Sequence, residues 1–515
     1  MRHHRSSRVA LPGAAFAAGL AHAAAFAPSN LWWLQLLALA AAIRIACAAG
    51  AARSTAIAGL AFGFGWFVSG VAWLFVSMHR HGGMPAPMAG AALVLFALYL
   101  GAFAAASLSL CAPALRAALA GRSAGAVAGA ALLFAGIWGA GEMLRGWLFT
   151  GFPWLSTGYA HVDGPLAGLA PLVGAHGVGA LAALAAAGIA LAAASWRRGS
   201  PAALGCLAIP LSIGLALTPI RWSHDVGEPI RVRLLQGNVP QQMKFDPQRS
   251  LAAMQAYARA IAAEPADLIV LPETAWTVPW SRTPPQIAGA ITASLNHGGI
   301  AAIGMPLAAT TRRGDPTLSN SVAAIAAGGP LAWRYDKRHL VPFGEFVPTG
   351  FGWFVRMMHI PLGDFGRGAP HQPALAVRDQ RLAFNICYED IFGRELAPQV
   401  RDGATILVNL SNIAWFGDSH ALPQHLQIAR MRAVELARPM LRATNTGVTA
   451  AIDARGRVLD ALEVHTEGAL AVSLRGTAGL TPYARAGDLA PAALVAALAL
   501  AGLGLGARLR RIPAR

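Results

Sequence analysis

Long apolar stretches with almost no acidic side chains dominate this chain of 515 residues. Residues 1–220 and 489–515 together contain only two acids, Glu142 and Asp163, whereas residues 221–488 contain 22. Charged residues make up only 13% of the sequence, compared with roughly 25% in soluble domains. This distribution excludes a purely soluble enzyme, a disordered chain and a fibrous protein. It predicts a helical membrane domain joined to one polar domain.

Eight stretches are apolar and long enough to span a bilayer, which takes about 20 residues as a helix. They cover residues 9–27, 31–48, 55–78, 88–113, 124–144, 169–194, 201–220 and 489–507. In the termini and linking segments, twelve arginines fall on one side of the membrane and two, Arg80 and Arg145, on the other. Because cytoplasmic segments are enriched in positive residues, both termini are predicted to be cytoplasmic. A cleavable signal peptide over residues 1–27 is the alternative for the first stretch.

The predicted domain boundaries follow from these stretches. Residues 1–220 form a transmembrane domain of about seven helices, and residues 221–488 form a domain outside the cytoplasm. Residues 489–507 form the last transmembrane helix, and residues 508–515 a cytoplasmic tail. The net charge of +17 does not indicate a nucleic-acid partner, because the basic residues are dispersed between apolar segments rather than clustered on one folded surface.

The polar domain alternates short β-rich runs with helical patterns. Strands are predicted at 230–236, 267–272, 300–306, 320–326, 382–388, 404–410 and 447–453, and helices at 247–263, 285–297, 393–401 and 421–437. This alternation predicts an α/β or α+β domain of about 260 residues, which is large enough for its own hydrophobic core.

Three residues of this domain are candidates for chemistry. Cys387 is its only cysteine and therefore has no disulfide partner within the domain, and Glu273 follows Pro272 at the end of a predicted strand. Lys337 is one of only two lysines in the chain, which indicates that a compact ammonium is needed there rather than a guanidinium. An inert core cysteine, a chance lysine and a capping glutamate are the structural alternatives.

Together, a thiol, a carboxylate and an ammonium suit acyl transfer through a thioester. A thiol with a pKa near 8.5 is mostly protonated at neutral pH, so it needs a base, and the ammonium can stabilise a developing oxyanion. The sequence contains no H-E-x-x-H, Walker A or strand-borne G-x-G-x-x-G motif, and no Cys/His cluster with zinc spacing. We therefore predict an enzyme with no metal and no other cofactor.

Residues 145–168 form a predicted outer loop that is rich in aromatic side chains. Such side chains favour the membrane interface, so the loop is either an aromatic belt or a floor that binds lipid. Glu142 and Arg145 are expected to pair, because residues three apart on a helix are neighbours. These two residues and Trp147 are candidate lipid contacts.

The sequence contexts of the three reactive residues resemble those of the nitrilase superfamily, whose Glu-Lys-Cys triad lies in PE, DK and CYE motifs. Here the motifs are Pro272-Glu273, Asp336-Lys337 and Cys387-Tyr388-Glu389. Combined with the membrane stretches, the chain resembles the bacterial apolipoprotein N-acyltransferases over nearly its whole length. Other matching stretches are LRGWLFTGFPWL (144–155), QGNVPQ (236–241), YDKRHLVPFGEFVP (335–348), ICYED (386–390), ARMRAVE (429–435), RATNTG (442–447) and TPYAR (481–485).

The resemblance implies an α-helical membrane domain of eight spans and a periplasmic nitrilase-like αββα sandwich, in the bacterial inner membrane. It also implies a two-step reaction. Cys387 would take a fatty acyl chain from a phospholipid as a thioester, and the N-terminal amine of diacylglyceryl-cysteine in an apolipoprotein would accept it. Glu273 would be the general base, and Lys337 would stabilise the tetrahedral intermediate. The implied partners are these two substrates and the bilayer, and a monomer is expected.

Further positions match the resemblance. Glu345 and Glu389 correspond to acidic residues that support the family's site by orienting the lysine, and a backbone N–H near Tyr388 is a second candidate oxyanion donor. Phe245 and Trp415 are candidate lipid contacts, with ordinary aromatic packing as the alternative.

Ile413 departs from the family pattern, which commonly has Asp in an NDAWFG motif where this chain has NIAWFG. The departure leaves the triad intact and affects only detailed predictions about the substrate. Two other functions stay open at this point. One is a membrane-tethered nitrilase-type amidase, in which water replaces the amine acceptor. The other is a transporter or receptor with an inactive nitrilase-like sensor domain, against which the shortage of intramembrane charges argues.

Overall fold

The computed structural model describes residues 2–121, 123–195, 201–241, 246–310, 314–348 and 365–511. The chain divides into two compact units. The helical unit contains Met1–Phe75, Ala86–Ile220 and Ala486–Arg515, and the catalytic unit contains Val76–Pro85 and Arg221–Arg485.

The α-helices follow one another along the chain as α1 (Arg2–Ala24), α2 (Trp32–Ala48), α3 (Ala52–Gly70), α4 (Trp73–Val76), α5 (Ala86–Gly121), α6 (Ala124–Arg145), α7 (Ala170–Ser195), α8 (Pro201–Leu217), α9 (Pro247–Ala263), α10 (Pro285–Ser294), α11 (Gly393–Arg401), α12 (Ala421–Leu436), α13 (Pro482–Ala486) and α14 (Leu489–Arg511). Short 3₁₀ turns include Cys387–Ile391 and Ile413–Phe416, and Ser77–His81 is a π-helical turn.

Each of the eight predicted apolar stretches is helical. Among the described residues, four helices are long and apolar enough to cross a membrane, namely Ala86–Ala120, Ala124–Arg145, Pro165–Ala193 and Leu489–Arg508. The predicted stretch 55–78 is instead a broken pair, Ala52–Gly70 and Trp73–His81, bent by 53°, which gives a fifth candidate if it counts as one span. The other apolar helices, Ala10–Ala24, Trp32–Ala48 and Pro201–Leu217, are shorter. Several helices can therefore span a membrane, and the number eight stays a prediction.

Small residues let two of these helices approach closely. A Cβ atom placed on Gly63 of α3 would lie 2.5 Å from the Cα atom of Gly101 on α5. Such backbone contact is typical of membrane helices, where small residues at an interface allow van der Waals packing without a hydrophobic driving force.

The described residues of the catalytic unit form two six-stranded sheets. The first has the order β12-β1-β2-β3-β4-β5 and the second β11-β10-β9-β8-β7-β6. The strands are β1 (His224–Gln236), β2 (Leu268–Val270), β3 (Ile300–Thr310), β4 (Pro316–Ala326), β5 (Gly329–Asp336), β6 (Leu375–Val377), β7 (Gln380–Ile386), β8 (Ile406–Ser411), β9 (Met440–Thr444), β10 (Ala450–Ile452), β11 (Val458–Ala461) and β12 (Gly468–Ala478). In each sheet three central strands are parallel: β1, β2 and β3 in the first, and β7, β8 and β9 in the second.

The two sheets pack face to face through apolar side chains. Val232 and Leu268 of the first sheet share a buried core with Phe384 and Val408 of the second. A separate core joins the outer face of the first sheet to α9 and α10, and α12 is buried along nearly its whole length. The expected nitrilase-like sandwich with two sheets is therefore confirmed, and it brings the carboxyl ends of parallel strands from both sheets into one region.

Candidate active site

Glu273 lies three residues after the end of β2 and is 7% exposed. Both of its oxygens accept hydrogen bonds. Oε1 accepts one from Nδ2 of Asn320 at 2.7 Å, and Oε2 accepts one from the backbone N–H of Asn412 at 2.8 Å. Asn412 follows β8 of the second sheet, so donors from both sheets fix this carboxylate.

A glycine allows the segment that carries Glu273 to run close to β3. A Cβ atom on Gly304 would lie 2.4 Å from the carbonyl oxygen of Pro272 and 2.8 Å from the Cα atom of Glu273. Real Cβ contacts are not this short, so any larger residue at this position would displace the carboxylate.

Lys337 is the first residue after β5, and its side chain is 1% exposed. Its Nζ lies 3.2 Å from Oε1 of Glu273 and 3.0 Å from Oε1 of Glu345. Burial disfavours the ammonium, but the two carboxylates outweigh burial and raise the pKa of Lys337 above its ordinary value. The lysine is therefore held as a cation, which suits an oxyanion donor rather than a general base.

Glu345 completes the cluster around the lysine. Its Oε1 accepts hydrogen bonds from Lys337 and from Nδ2 of Asn320, the latter at 2.8 Å, and its Oε2 accepts one from the backbone N–H of Val341 at 2.8 Å. One amide and one ammonium thus hold the same oxygen of each carboxylate. This geometry agrees with the expectation that Glu345 orients the lysine.

Cys387 directly follows β7 and begins the Cys387–Ile391 turn. Its φ of 53° is left-handed, which is uncommon for a residue with a side chain and recurs at functional sites. The residue is partly exposed. Burial raises the pKa of the Cys387 thiol to about 12, and the Glu273 carboxylate adds to this increase while the Lys337 ammonium opposes it. The resting nucleophile is therefore a thiol that requires a base, and the nearby carboxylate of Glu273 is available as one.

Glu389 supports the backbone around the site. Its Oε1 accepts hydrogen bonds from the backbone N–H groups of Arg338 and His339, and its Oε2 accepts them from Ile386 N–H and the Tyr335 hydroxyl, at distances of 2.7–3.0 Å. Burial raises the pKa of Glu389 to about 7, although the backbone donors oppose the increase. Glu389 therefore joins the end of β7 to the segment after β5, next to Lys337, and its role in orienting the lysine stays a prediction.

Tyr388 follows the nucleophile and is buried, with its ring against those of His339 and Phe392 at centroid distances of 5.8 and 5.2 Å. Its proposed role, a backbone N–H that binds the oxyanion, stays a prediction.

Trp415 lies in the Ile413–Phe416 turn, directly after Asn412, whose N–H binds Glu273. Its ring meets the ring of His81 edge-on, at a centroid distance of 5.9 Å and an angle of 87°. Ile413 is 1% exposed and packs on Gly447, where an added Cβ atom would lie 2.4 Å from Cδ1 of Ile413. The apolar residue at 413 therefore fills a tight buried space, and a lipid contact at Trp415 stays a prediction.

The remaining predicted site residues lie elsewhere. Phe245 lies outside the described residues. In the helical unit, Trp147 is 57% exposed, whereas Glu142 and Arg145 are buried. These last two form the expected ion pair at 3.4 Å, and their other hydrogen bonds go to the loop at Phe152, Trp154, Ser156 and Thr157. The pair therefore fastens the aromatic loop to α6, and the lipid contacts of Glu142, Arg145 and Trp147 stay predictions.

Sequence reasoning missed Asn320 and Asn412, which hold the carboxylates in place. Asn320 lies within β4, where a polar side chain in an alternating strand gives no signal of its own. Asn412 acts through its backbone N–H, which no side-chain pattern can indicate. Among the residues that the structure describes, no three His, Cys, Asp or Glu side chains are grouped so that they could hold a metal ion.

Two sheets with a glutamate, a lysine and a cysteine at their strand ends define a domain of the carbon-nitrogen hydrolase class, and the family profile described as carbon-nitrogen hydrolase matches residues 231–483. A second profile, described as the N-terminal domain of apolipoprotein N-acyltransferase, matches residues 18–188.

Relatives named apolipoprotein N-acyltransferase align with nearly the whole chain. The protein from Ralstonia nicotianae is 47% identical over 488 residues, which cover 94% of this chain and 91% of that protein. The protein from Bordetella bronchiseptica is 44% identical, with 97% and 98% covered, and that from Nitrosomonas europaea is 41% identical, with 95% and 96% covered. This chain therefore belongs to the apolipoprotein N-acyltransferase family, and it is a membrane protein with an enzymatic domain of the nitrilase type.

Proposed function

We propose that this protein transfers a fatty acyl chain from a phospholipid to the N-terminal amine of diacylglyceryl-cysteine in apolipoproteins. One observation carries the proposal: the Lys337 ammonium lies 3.2 Å from the Glu273 carboxylate, in the same unit as Cys387 at the end of β7, and the other unit of the chain consists of apolar helices. Membership of the apolipoprotein N-acyltransferase family supports the assignment of an apolipoprotein amine as the acyl acceptor.

In the first half-reaction, Glu273 removes the proton of Cys387 as the sulfur attacks the carbonyl carbon of the acyl ester. The negative charge moves to the carbonyl oxygen, where the Lys337 ammonium and a backbone N–H near Tyr388 stabilise it. The intermediate then expels the glycerol oxygen of the lysophospholipid, which takes the proton from Glu273. The acyl chain is left on the sulfur as a thioester.

In the second half-reaction, the free amine attacks the thioester and loses its proton to Glu273. The thiolate leaves, is reprotonated by Glu273, and the product is an N-acylated lipoprotein. The Lys337 cation serves both steps because each passes through an oxyanion at the same carbon. No metal or other cofactor takes part in this scheme.

We also propose the placement of the chain in the bacterial inner membrane as a monomer. Eight spans would carry both termini on the cytoplasmic side and residues 221–488 in the periplasm. The arginine bias supports this topology. Trp147, Trp415 and Phe245 are the proposed lipid contacts, and the 57% exposure of Trp147 supports its assignment. Glu142 and Arg145 would support the lipid site by fixing the loop that bears Trp147.

Intact-protein mass spectrometry tests the proposal. Purified protein in neutral detergent is incubated with phospholipid alone, and a mass gain of one fatty acyl chain that hydroxylamine removes is expected. Cys387→Ala should abolish the gain, whereas Cys206→Ala, a cysteine of α8 in the helical unit, should retain it. A diacylated lipopeptide should then discharge the thioester.

The result also separates the alternatives. A folded wild-type protein that never gains the acyl mass but hydrolyses small amides would be a tethered amidase. A folded protein with neither activity would fit the inactive sensor domain, and either outcome would end the proposal.

A further inference from the structure

The short segment Val76–Pro85 belongs to the catalytic unit, although its neighbours on both sides in the chain belong to the helical unit. Its residues Ser77–His81 form a π-helical turn, a rare conformation that is frequent at functional sites. Its first part, residues 76–78, lies at the end of the predicted membrane-spanning stretch 55–78. The segment nevertheless belongs with Arg221–Arg485, and its contacts in that unit lie near the proposed site.

The segment packs on the turn that contains Trp415. The ring of His81 meets the Trp415 ring edge-on at 5.9 Å. At Gly417, whose φ is 60°, an added Cβ atom would lie 3.4 Å from Cγ1 of Val76. These two contacts join Val76–Pro85 to both ends of the Trp415-Phe416-Gly417 run.

This run is connected to the catalytic carboxylate. Asn412 donates its backbone N–H to Oε2 of Glu273 at 2.8 Å, and the Ile413–Phe416 turn begins at the next residue. Trp415 is only three residues from that donor. The Ser77–His81 turn is therefore one packing contact and three residues away from the hydrogen bond that fixes the base.

The turn carries three consecutive basic residues, His79, Arg80 and His81. His79 is oriented by a contact of 2.8 Å between its Nδ1 and the carbonyl oxygen of Met84. Arg80 is exposed and His81 is partly exposed, although Nδ1 of His81 is itself buried and has no hydrogen-bond partner among the described residues. Asp418, the acid nearest in sequence to Trp415, faces His465 at 3.9 Å. The turn therefore offers an exposed guanidinium to an anion, with the partly exposed His81 ring next to it.

The two substrates of the proposed reaction differ in charge at the relevant position. The phospholipid donor carries a phosphodiester next to the glycerol that bears the scissile ester, whereas the acceptor presents an amine that is largely cationic at neutral pH. A basic turn attracts the first and repels the second, and guanidinium groups bind phosphate oxygens through charge-assisted hydrogen bonds.

We infer that the Ser77–His81 turn binds the phosphodiester of the phospholipid donor, with Arg80 as the principal cation and His81 as a second hydrogen-bond donor beside Trp415. The inference rests on the proposed function and adds a specificity-determining site to it. The turn selects a charged donor and positions it by contact with Trp415.

The test measures kcat/KM for acyl-enzyme formation with two donors in neutral detergent. One donor is a phosphatidylglycerol, and the other is p-nitrophenyl palmitate, an uncharged acyl ester. Arg80→Gln should lower the value about tenfold with the phospholipid, corresponding to the loss of one charge-assisted contact, and by less than twofold with the uncharged ester. His81→Gln should show the same selectivity with a smaller loss. Arg455→Gln, an exposed arginine of the same unit, is the control and should change neither value.

Each outcome is decisive. Equal losses with both donors would mean that the turn supports the Trp415 segment and does not bind phosphate, and no loss with the phospholipid would mean that Arg80 has no role in donor binding. Either result overturns the inference and leaves the proposed function intact. If the wild-type protein is acylated by the uncharged ester but never by phospholipid, the proposed function fails, and the inference fails with it. The Arg455→Gln control tests for general attraction to micelles that contain the anionic phospholipid, because such attraction would weaken on loss of either exposed arginine.

Discussion

Asn320 offers a sharp test of how the catalytic carboxylates are held. Its Nδ2 donates hydrogen bonds to Oε1 of Glu273 at 2.7 Å and to Oε1 of Glu345 at 2.8 Å, the same two oxygens that contact the Lys337 ammonium. Asn320→Asp keeps the size and shape of the side chain but replaces the shared donor by an acceptor. The variant should therefore release both carboxylates without creating a cavity.

The magnitude follows from the two bonds. A hydrogen bond to a charged group contributes about 1.5–3 kcal/mol, so losing both costs about 3–6 kcal/mol. Asn320 is partly exposed, so water replaces part of each bond. We expect a net loss of about 3–4 kcal/mol in transition-state stabilisation, which lowers the rate of acyl-enzyme formation roughly 10²–10³-fold. Asn320→Ala should lose less, because it removes the donor without adding a third carboxyl group.

The assay is the rate of acyl mass gain with phospholipid, compared with thermal unfolding in the same detergent. Asn296→Asp, an exposed asparagine after α10, is the matched control and should leave the rate unchanged. A folded Asn320→Asp protein that acylates within twofold of the wild-type rate would refute the idea that this amide positions the base.

Three further predictions use the same assay. Lys337→Arg should lower the acylation rate at least 10²-fold, because a planar guanidinium does not fit a buried site built around a compact ammonium; a rate near wild type would contradict this. Gly304→Ala should lower the rate at least tenfold, because its Cβ atom would collide with Pro272 O, whereas Gly289→Ala, where no atom lies within 4 Å, should be silent. Burial raises the pKa of Glu389 from 4.5 to about 7, so this residue gains a proton as the pH falls through that value. The added O–H faces groups that are already donors, so the acylation rate should decline below about pH 7. The Glu389→Gln variant should be slow and should show no such inflection in its pH profile. A decline that persists in this variant would implicate another group.

The central strands of the two sheets could be predicted from the sequence better than the edge strands. β5, β6, β11 and β12 were not predicted, and these four are the edge strands of the two sheets. Central strands such as β8 are buried at every residue and appear as continuous apolar runs, whereas all four residues of β11 are exposed. An edge strand has a neighbour on one side only, so its composition resembles that of a loop. β9, which follows α12 closely, was also missed.

The site shows a similar division. Glu273, Lys337 and Cys387 could be predicted as the site, because the cysteine and the lysine are rare in this chain and Glu273 follows a strand end, where α/β domains place their chemistry. The donors next to Glu273 were not predicted, since Asn412 reaches this carboxylate through its backbone N–H. The assignment of residues 55–78 to one stretch also concealed the Ser77–His81 turn, because apolar length alone does not reveal that the chain bends after Gly70.

The order of the first sheet has a consequence for biosynthesis. β1, the first strand of this sheet to leave the ribosome, pairs with β12, the last, in a ladder that runs from His224↔Ala478 to Gln236↔Gly468. The sheet that carries Glu273 and Lys337 therefore keeps an open edge until residues 468–478 have been made. A nascent or prematurely terminated chain exposes the unpaired groups of β1 as a template for aggregation. The first sheet can therefore be completed only after β12 has been translated. A protein shortened before residue 468 should be a substrate for proteolytic quality control rather than a partly active enzyme.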